Sequence, residues 1–343
     1  MATADSAQTF PADGLQVAYL HGVLRLSAAV TATYVIGEAM GWFPSFLAPL
    51  LAAVILTSLP KALPLKAGVM IILVMTGSAY FSYILPSLMQ QVPTVLFGVI
   101  GLIIFASFAL LASGKGQLPL TLLLICIATI PIMTLVSPQY AAALPKAYSR
   151  GIVMAVAAVW IVHAIWPRTL PAAAAPPSAA GLPPARLALA GTAIVLPIML
   201  VYLMYGITDA LPVLITTIFL VANFDTKRGA AHGAAMMIGN FIGGIAALIA
   251  FHLLQIAPAL ATLALLLFAI TAVFAIQMQK GGPQAPVMLL TLNQTLIILG
   301  LALANGSSNS GLWGTRLLQF GLACAFAVGM MTLILPRPSP TQK

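Results

Sequence analysis

Apolar residues come in runs of about twenty, the helix length that crosses about 30 Å of hydrocarbon. Polar residues collect in short breaks between the runs. This pattern predicts spans at 17–40, 44–60, 67–88, 92–112, 117–137 and 147–166, then at 186–205, 210–222, 229–254, 256–278, 285–304 and 312–335. No ten-residue alternation of the barrel type interrupts them. The expected fold class is an all-α polytopic membrane protein with about 12 transmembrane helices.

The second span of each group of six is short. Its clean apolar stretch, from Phe46 to Leu59 and again from Ala210 to Ala222, makes roughly 20 Å of helix. Pro49 and Pro212 sit at matching places in FLAPLLAAVIL and DALPVLITTIFL. Paired short or Pro-broken segments point to a transport cavity, where irregular backbone is tolerated. The other reading is a proline that simply starts a tilted helix.

Between the two groups runs TLPAAAAPPSAAGLPPA, residues 169–185, an uncharged and semi-extended linker. Its flanks begin and end alike. Arg25-Leu-Ser-Ala opens the first segment and Arg186-Leu-Ala-Leu the second; Arg150 and Arg316 follow 125 and 130 positions later, each succeeded by a Pro-Arg. The chain therefore divides into a first six-helix repeat (1–168), the linker (169–185) and a second repeat (186–343). Six helices per repeat bring both into the membrane from the same face, which relates them by a pseudo-two-fold axis along the membrane normal.

Composition agrees with a membrane setting. Only 6% of residues are charged and 62% are hydrophobic, against about 25% charged in soluble domains. The formal charge of +9 does not indicate nucleic acid, because the basic residues fall singly between apolar runs. They report topology instead: Lys61, Lys66, Lys115, Arg168, Lys227, Arg228, Lys280, Arg337 and Lys343 share one side, while Lys146 alone occupies the loops opposite. The positive-inside rule then places both termini and the linker in the cytoplasm of a bacterial inner-membrane protein. Residues 1–14 lack the signature of a cleaved signal peptide, so the first span is expected to do the targeting. Cys126 and Cys324 lie in apolar runs and are expected as buried thiols.

Few side chains are left for chemistry. Arg25, inside an apolar run, either needs a partner in protein or water or reaches back to lipid phosphates. Arg150 and Arg316 fall on the side opposite the basic loops; with Arg25 and Arg186 they form either a path for an organic anion, whose carboxylate a guanidinium binds in fork fashion, or structural pairs with Glu38 or Asp209. Those two acids are the candidates for a proton-binding carboxylate, or else are solvated at the interface. Asn240, Asn293 and Gln294 lie within spans and act either as interhelical hydrogen-bonding groups or as substrate contacts. Asp225 caps the helix that follows it, and Gly229, Gly239 and Gly243 offer a small-residue face for another helix. The histidines are scattered without ligand spacing, so no metal or cofactor is expected. No nucleophile or phosphate-loop motif supports an enzyme.

Arg25-Leu-Ser, the short second span ending near Pro60, the Asp225-Thr-Lys-Arg-Gly turn and the Gly239-Asn-Phe-Ile-Gly243 helix within a six-plus-six layout resemble the fusaric acid resistance and aromatic acid exporter superfamily. That group also includes plant aluminium-activated malate channels. This chain resembles a compact branch of it: the larger exporters carry a cytoplasmic domain after each six-helix unit, and they place an arginine where Met236 stands here. The resemblance implies export of small organic, often aromatic, acids, with a periplasmic adaptor of the membrane-fusion type as partner. The alternatives are an exporter of neutral or cationic drugs or lipids and a non-transporting scaffold of an envelope complex. A homo-oligomer is compatible with any of the three.

Overall fold

The computed structural model describes residues 12–59, 61–114, 116–170, 184–206, 210–222, 229–282, 284–305 and parts of 318–334. Twelve helices are bounded within them: α1 (Ala12–Ala39), α2 (Leu47–Ser58), α3 (Leu65–Met89), α4 (Pro93–Ala112), α5 (Gln117–Val136), α6 (Pro138–Ala141), α7 (Leu144–Ile165), α8 (Pro184–Met204), α9 (Ala210–Ala222), α10 (Gly229–Ile256), α11 (Leu260–Gln279) and α12 (Gln284–Asn305). No strand occurs among the described residues. Nine helices there are long and apolar enough to cross a membrane, as expected of a multi-pass membrane protein. Half of span 312–335 lies outside the described residues.

The helix ends have local causes. Pro93 stands at the first position of α4, where its missing N–H would have had no acceptor. The turn between α11 and α12 passes through Gly281 and Gly282 at φ +73° and +76°, a left-handed conformation that glycine adopts without strain. Connections this short make consecutive long helices run antiparallel.

Packing divides the helices into an inner and an outer set. Within their most apolar stretches, 67% of α5 and 78% of α12 are buried, against 28% of α4 and of α11. The two short helices join the inner set: Leu47 through Ile55 of α2 are all buried, and so are Val213 through Phe219 of α9. Leu73, Leu102, Leu265 and Ile249 on the outer helices point away from the protein. Apolar residues turned outward on long apolar helices are what a lipid solvent selects.

Among the helix pairings, α3 packs on α5 and α10 on α12; α4 packs on α8 and α11 on α1; α2 packs on α12 and α9 on α5. Glycines mark the close approaches. A Cβ at Gly239 would meet Thr291 Oγ1 at 2.7 Å, and one at Gly243 would fall on the Thr291 carbonyl, so α10 and α12 run parallel in near backbone contact. Buried polar tips on aromatic rings find partners: Trp160 Nε1 donates to Leu63 O at 3.0 Å, and the Tyr148 hydroxyl lies 3.0 Å from Thr129 Oγ1.

Candidate functional site

Arg25 is buried on α1, and its Nη1 donates to the carbonyls of Trp166 and Arg168, both at 2.8 Å. The Arg168 N–H in turn donates to His21 Nδ1 at 3.3 Å. One turn of α1 thus holds the chain as it leaves α7, and the partners of the guanidinium are neutral carbonyls. Hydrogen bonds from a charged group contribute about 1.5–3 kcal/mol. Arg25→Gln is therefore expected to lower stability by an amount of that order and to expose the segment after Trp166 to protease. Unchanged melting and unchanged cleavage would show that the clamp is idle.

Arg150 lies half-buried near the start of α7, with its guanidinium carbon 4.4 Å from the centroid of the Trp42 ring. Trp42 comes from the turn between α1 and α2. A guanidinium over an aromatic ring can still present N–H groups to an acceptor, because it carries five donors. Arg186 is exposed in the first turn of α8. Arg316, Asp209 and Asp225 lie outside the described residues.

Pro49 and Pro212 are each the third residue of a helix, α2 and α9 respectively. In the first turn a proline's missing N–H breaks no intrahelical bond. These prolines therefore begin short helices and do not interrupt longer ones.

Buried polar groups of α1, α9 and α12 include the interior amides. Thr216 Oγ1 of α9 donates to Gln294 Oε1 at 3.2 Å, and Thr295 Oγ1 donates to Gly243 O at 3.1 Å. Gln294 thus ties α12 to α9 while Thr295 ties it to α10. Asn293, the next-door amide, is 2% exposed and has no partner for either amide atom. On α1, Ser27 and Thr31 are buried with unpartnered hydroxyls, and the Tyr34 hydroxyl reaches Leu296 O of α12 at 3.5 Å. Glu38 follows one turn later, half-buried.

Gly239 and Gly243 lie where α10 meets α12. Gly229 is the first residue of α10. Asn240 belongs to the same helix, and its side chain is not among those described. Cys126 is a buried free thiol with its Sγ 3.8 Å from Met75 Sδ; Cys324 lies outside the described residues. A small apolar cavity of about 20 Å³ opens between α4, α5 and α8, lined by Pro93, Phe97, Ile100, Pro131 and Met199 among others. Among the described residues, no three His, Cys, Asp or Glu side chains converge as a metal site.

Sequence reasoning singled out neither Trp42 nor the group formed by Ser27, Thr31 and Tyr34. Trp42 sits in a turn whose folding back over α7 has no local signature. The other three recur with Glu38 at i, i+4, i+7 and i+11, the period of one helix face, but serine, threonine and tyrosine scarcely perturb hydropathy.

The family model described as "Protein of unknown function (DUF2955)" matches residues 22–162, the stretch from α1 to near the end of α7. The matched part of the chain is similar to that family. No curated protein and no solved structure matches the chain.

Proposed function

We propose that this protein is an inner-membrane permease that moves small organic, chiefly aromatic, acids out of the cell along a path between two six-helix halves. The observation that carries the reading is the pair of short helices. α2 and α9 have 12 and 13 residues, roughly 18–20 Å at 1.5 Å per residue. That is too little to cross the hydrocarbon, yet Leu47 through Ile55 of α2 and the described side chains of α9 are buried, and the two helices pack on α12 and α5. A buried helix that stops short leaves depth above or below it for a substrate, as in transporter folds with paired short segments.

The tandem-repeat reading is supported by the pairings. If α1–α5 and α8–α12 are matched in order, leaving out the one-turn α6, then α3 on α5 corresponds to α10 on α12. Likewise α4 on α8 corresponds to α11 on α1, and α2 on α12 to α9 on α5. The twelfth span would complete the second half. The resemblance to aromatic acid exporters gives the substrate class, and Arg150 stacked over Trp42 is suited to a carboxylate attached to a ring. Glu38 and Asp209 are the carboxylates for proton coupling, and a membrane-fusion adaptor is the partner the resemblance supplies.

A second reading, export of neutral compounds, is favoured by Arg25, whose hydrogen bonds go to backbone carbonyls and not toward an open path. A flux screen in proteoliposomes over aromatic and aliphatic carboxylates, with neutral aromatics beside them, separates the two. Carboxylate flux supports the acid permease, flux of neutral compounds alone replaces it with the second reading, and no flux of either leaves a scaffold.

The orientation is tested in intact cells. Cysteines introduced into the linker or beside Lys227 are expected to be protected from a membrane-impermeant maleimide, because the basic loops face the cytoplasm. Labelling of the linker from outside would reverse the topology.

A further inference from the structure

An unpaired amide deep in a membrane protein is a costly feature, and Asn293 is not alone. On α12, Asn293 and Gly300 are seven residues apart and so lie within about 20° of one another around the helix. Gly300 faces Tyr34 and Phe46: a Cβ there would come 3.1 Å from the Tyr34 hydroxyl and 3.0 Å from the Phe46 ring. Gln294 and Thr291 turn instead toward Gly243 of α10. Asn293 is therefore on the α1–α2 side of α12. On α1, Ser27 and Thr31 share the face of Tyr34, whose hydroxyl reaches Leu296 O of α12. Two unpaired hydroxyls of α1 and one wholly unpaired amide of α12 thus share the sides of the two helices that Tyr34 bridges, beside α2, on which both pack.

Packing does not demand a polar residue at this level. Cys126 faces Met75 between α5 and α3, 51 residues apart, the same separation as Gln294 from Gly243 between α12 and α10. In the repeat alignment proposed above, this register sets Cys126 against Gln294 and therefore Ile125, a buried apolar residue, against Asn293.

We propose that Ser27, Thr31 and Asn293 form a charge-free binding site for an undissociated carboxylic acid or a primary carboxamide. The inference rests on the acid-permease reading and specifies the form in which the acid passes the middle of the membrane. An amide offers N–H donors and a carbonyl acceptor side by side, which matches a carboxylic acid group with two hydrogen bonds, and the hydroxyls serve as either donor or acceptor. A carboxylate is disfavoured on two grounds. Neither α2 nor α12 carries a charged residue, so a buried anion would lack compensation. The charged group on the same face of α1 is Glu38, an acid. Arg150 of α7 lies farther out, beside Trp42, where the released acid can ionise. Arg25 is on another face of α1 and holds the Trp166 and Arg168 carbonyls.

The test uses the purified full-length chain in nanodiscs with benzamide and benzoic acid as probes, below and above the acid's pKa. The Asn293-dependent binding is the difference between the parent and Asn293→Leu. For benzamide this difference should be independent of pH, and for benzoic acid it should weaken about tenfold per pH unit above the pKa, following the neutral fraction. Asn293→Leu should weaken both probes about tenfold or more while melting at or above the parental temperature, since replacing an unpaired amide by an apolar group of similar shape removes a penalty. Thr31→Val should weaken them less. Absence of binding by either probe, tighter Asn293-dependent binding of benzoate at high pH, or parental binding in both variants would each overturn the site, as would a lower melting temperature in Asn293→Leu with binding intact. Binding that follows the expected pattern with no flux in proteoliposomes would instead overturn the permease reading and leave the site standing.

Discussion

Gly243→Leu is expected to push α10 off α12 and to lower thermal stability more than any surface change of the same size. The Cβ it adds falls on the backbone carbonyl of Thr291 and lies 3.0 Å from the Gln294 Cβ. A carbonyl inside a helix cannot swing aside as a side-chain tip can, so the whole of α12 must shift. Overpacking of this kind costs about 1–3 kcal/mol. The shift also strains the hydrogen bond from Thr295 Oγ1 to Gly243 O and displaces Gln294 from Thr216, so the damage spreads to α9. Gly98→Leu is the matched control: a Cβ there meets nothing within 4 Å, and replacing a mid-helix glycine gains up to about 1 kcal/mol of helix propensity. Thermal melting in detergent should therefore fall for Gly243→Leu and hold or rise for Gly98→Leu. Equal melting of the two variants would mean that α10 and α12 are not in close contact.

Arg150→Gln is expected to weaken transport of carboxylates by about 10- to 100-fold, the equivalent of a charged hydrogen-bonded contact worth about 1.5–3 kcal/mol. Arg150→Lys should give an intermediate defect, because the ammonium keeps the attraction but cannot present two parallel N–H groups. Stability should change little. Within the fold the guanidinium stacks on Trp42, and a cation over an aromatic ring contributes about 0.5–1 kcal/mol at a partly exposed site. Flux, protein level and melting temperature measured together separate the roles. Parental flux in a stably inserted Arg150→Gln protein would make the arginine a stacking residue and favour neutral substrates.

The helices were legible because each long apolar run is bounded by prolines, glycines or single charges. The span expected at 117–137 is Gln117–Val136, and the one at 210–222 is Ala210–Ala222. The short second helices were legible from length alone. Their prolines were ambiguous, since a proline at a helix start and one at a helix break look alike until the first turn is located.

Partnership was not legible. Nothing near Arg25 in sequence says that its guanidinium will hold carbonyls 141 and 143 residues away, because backbone acceptors carry no side-chain signature. The packing of α4 on α8 and of α11 on α1 is likewise a tertiary fact. Asn293 and Gln294 read alike in the chain, and only packing distinguishes the amide that joins helices from the one left without a partner. The file Ser27, Thr31, Tyr34 and Glu38 was present as a helical period, but mild polarity on an otherwise apolar helix does not stand out in a hydropathy profile.

The most direct test of the central claim is the efflux of labelled benzoate from proteoliposomes holding the full-length protein, with protein-free liposomes measuring diffusion of the neutral acid through lipid. The account predicts a protein-dependent component that saturates, is competed by unlabelled aromatic acids and falls about tenfold or more in Arg150→Gln. Efflux identical with and without protein, or a protein-dependent component that neither saturates nor responds to Arg150→Gln, would contradict it.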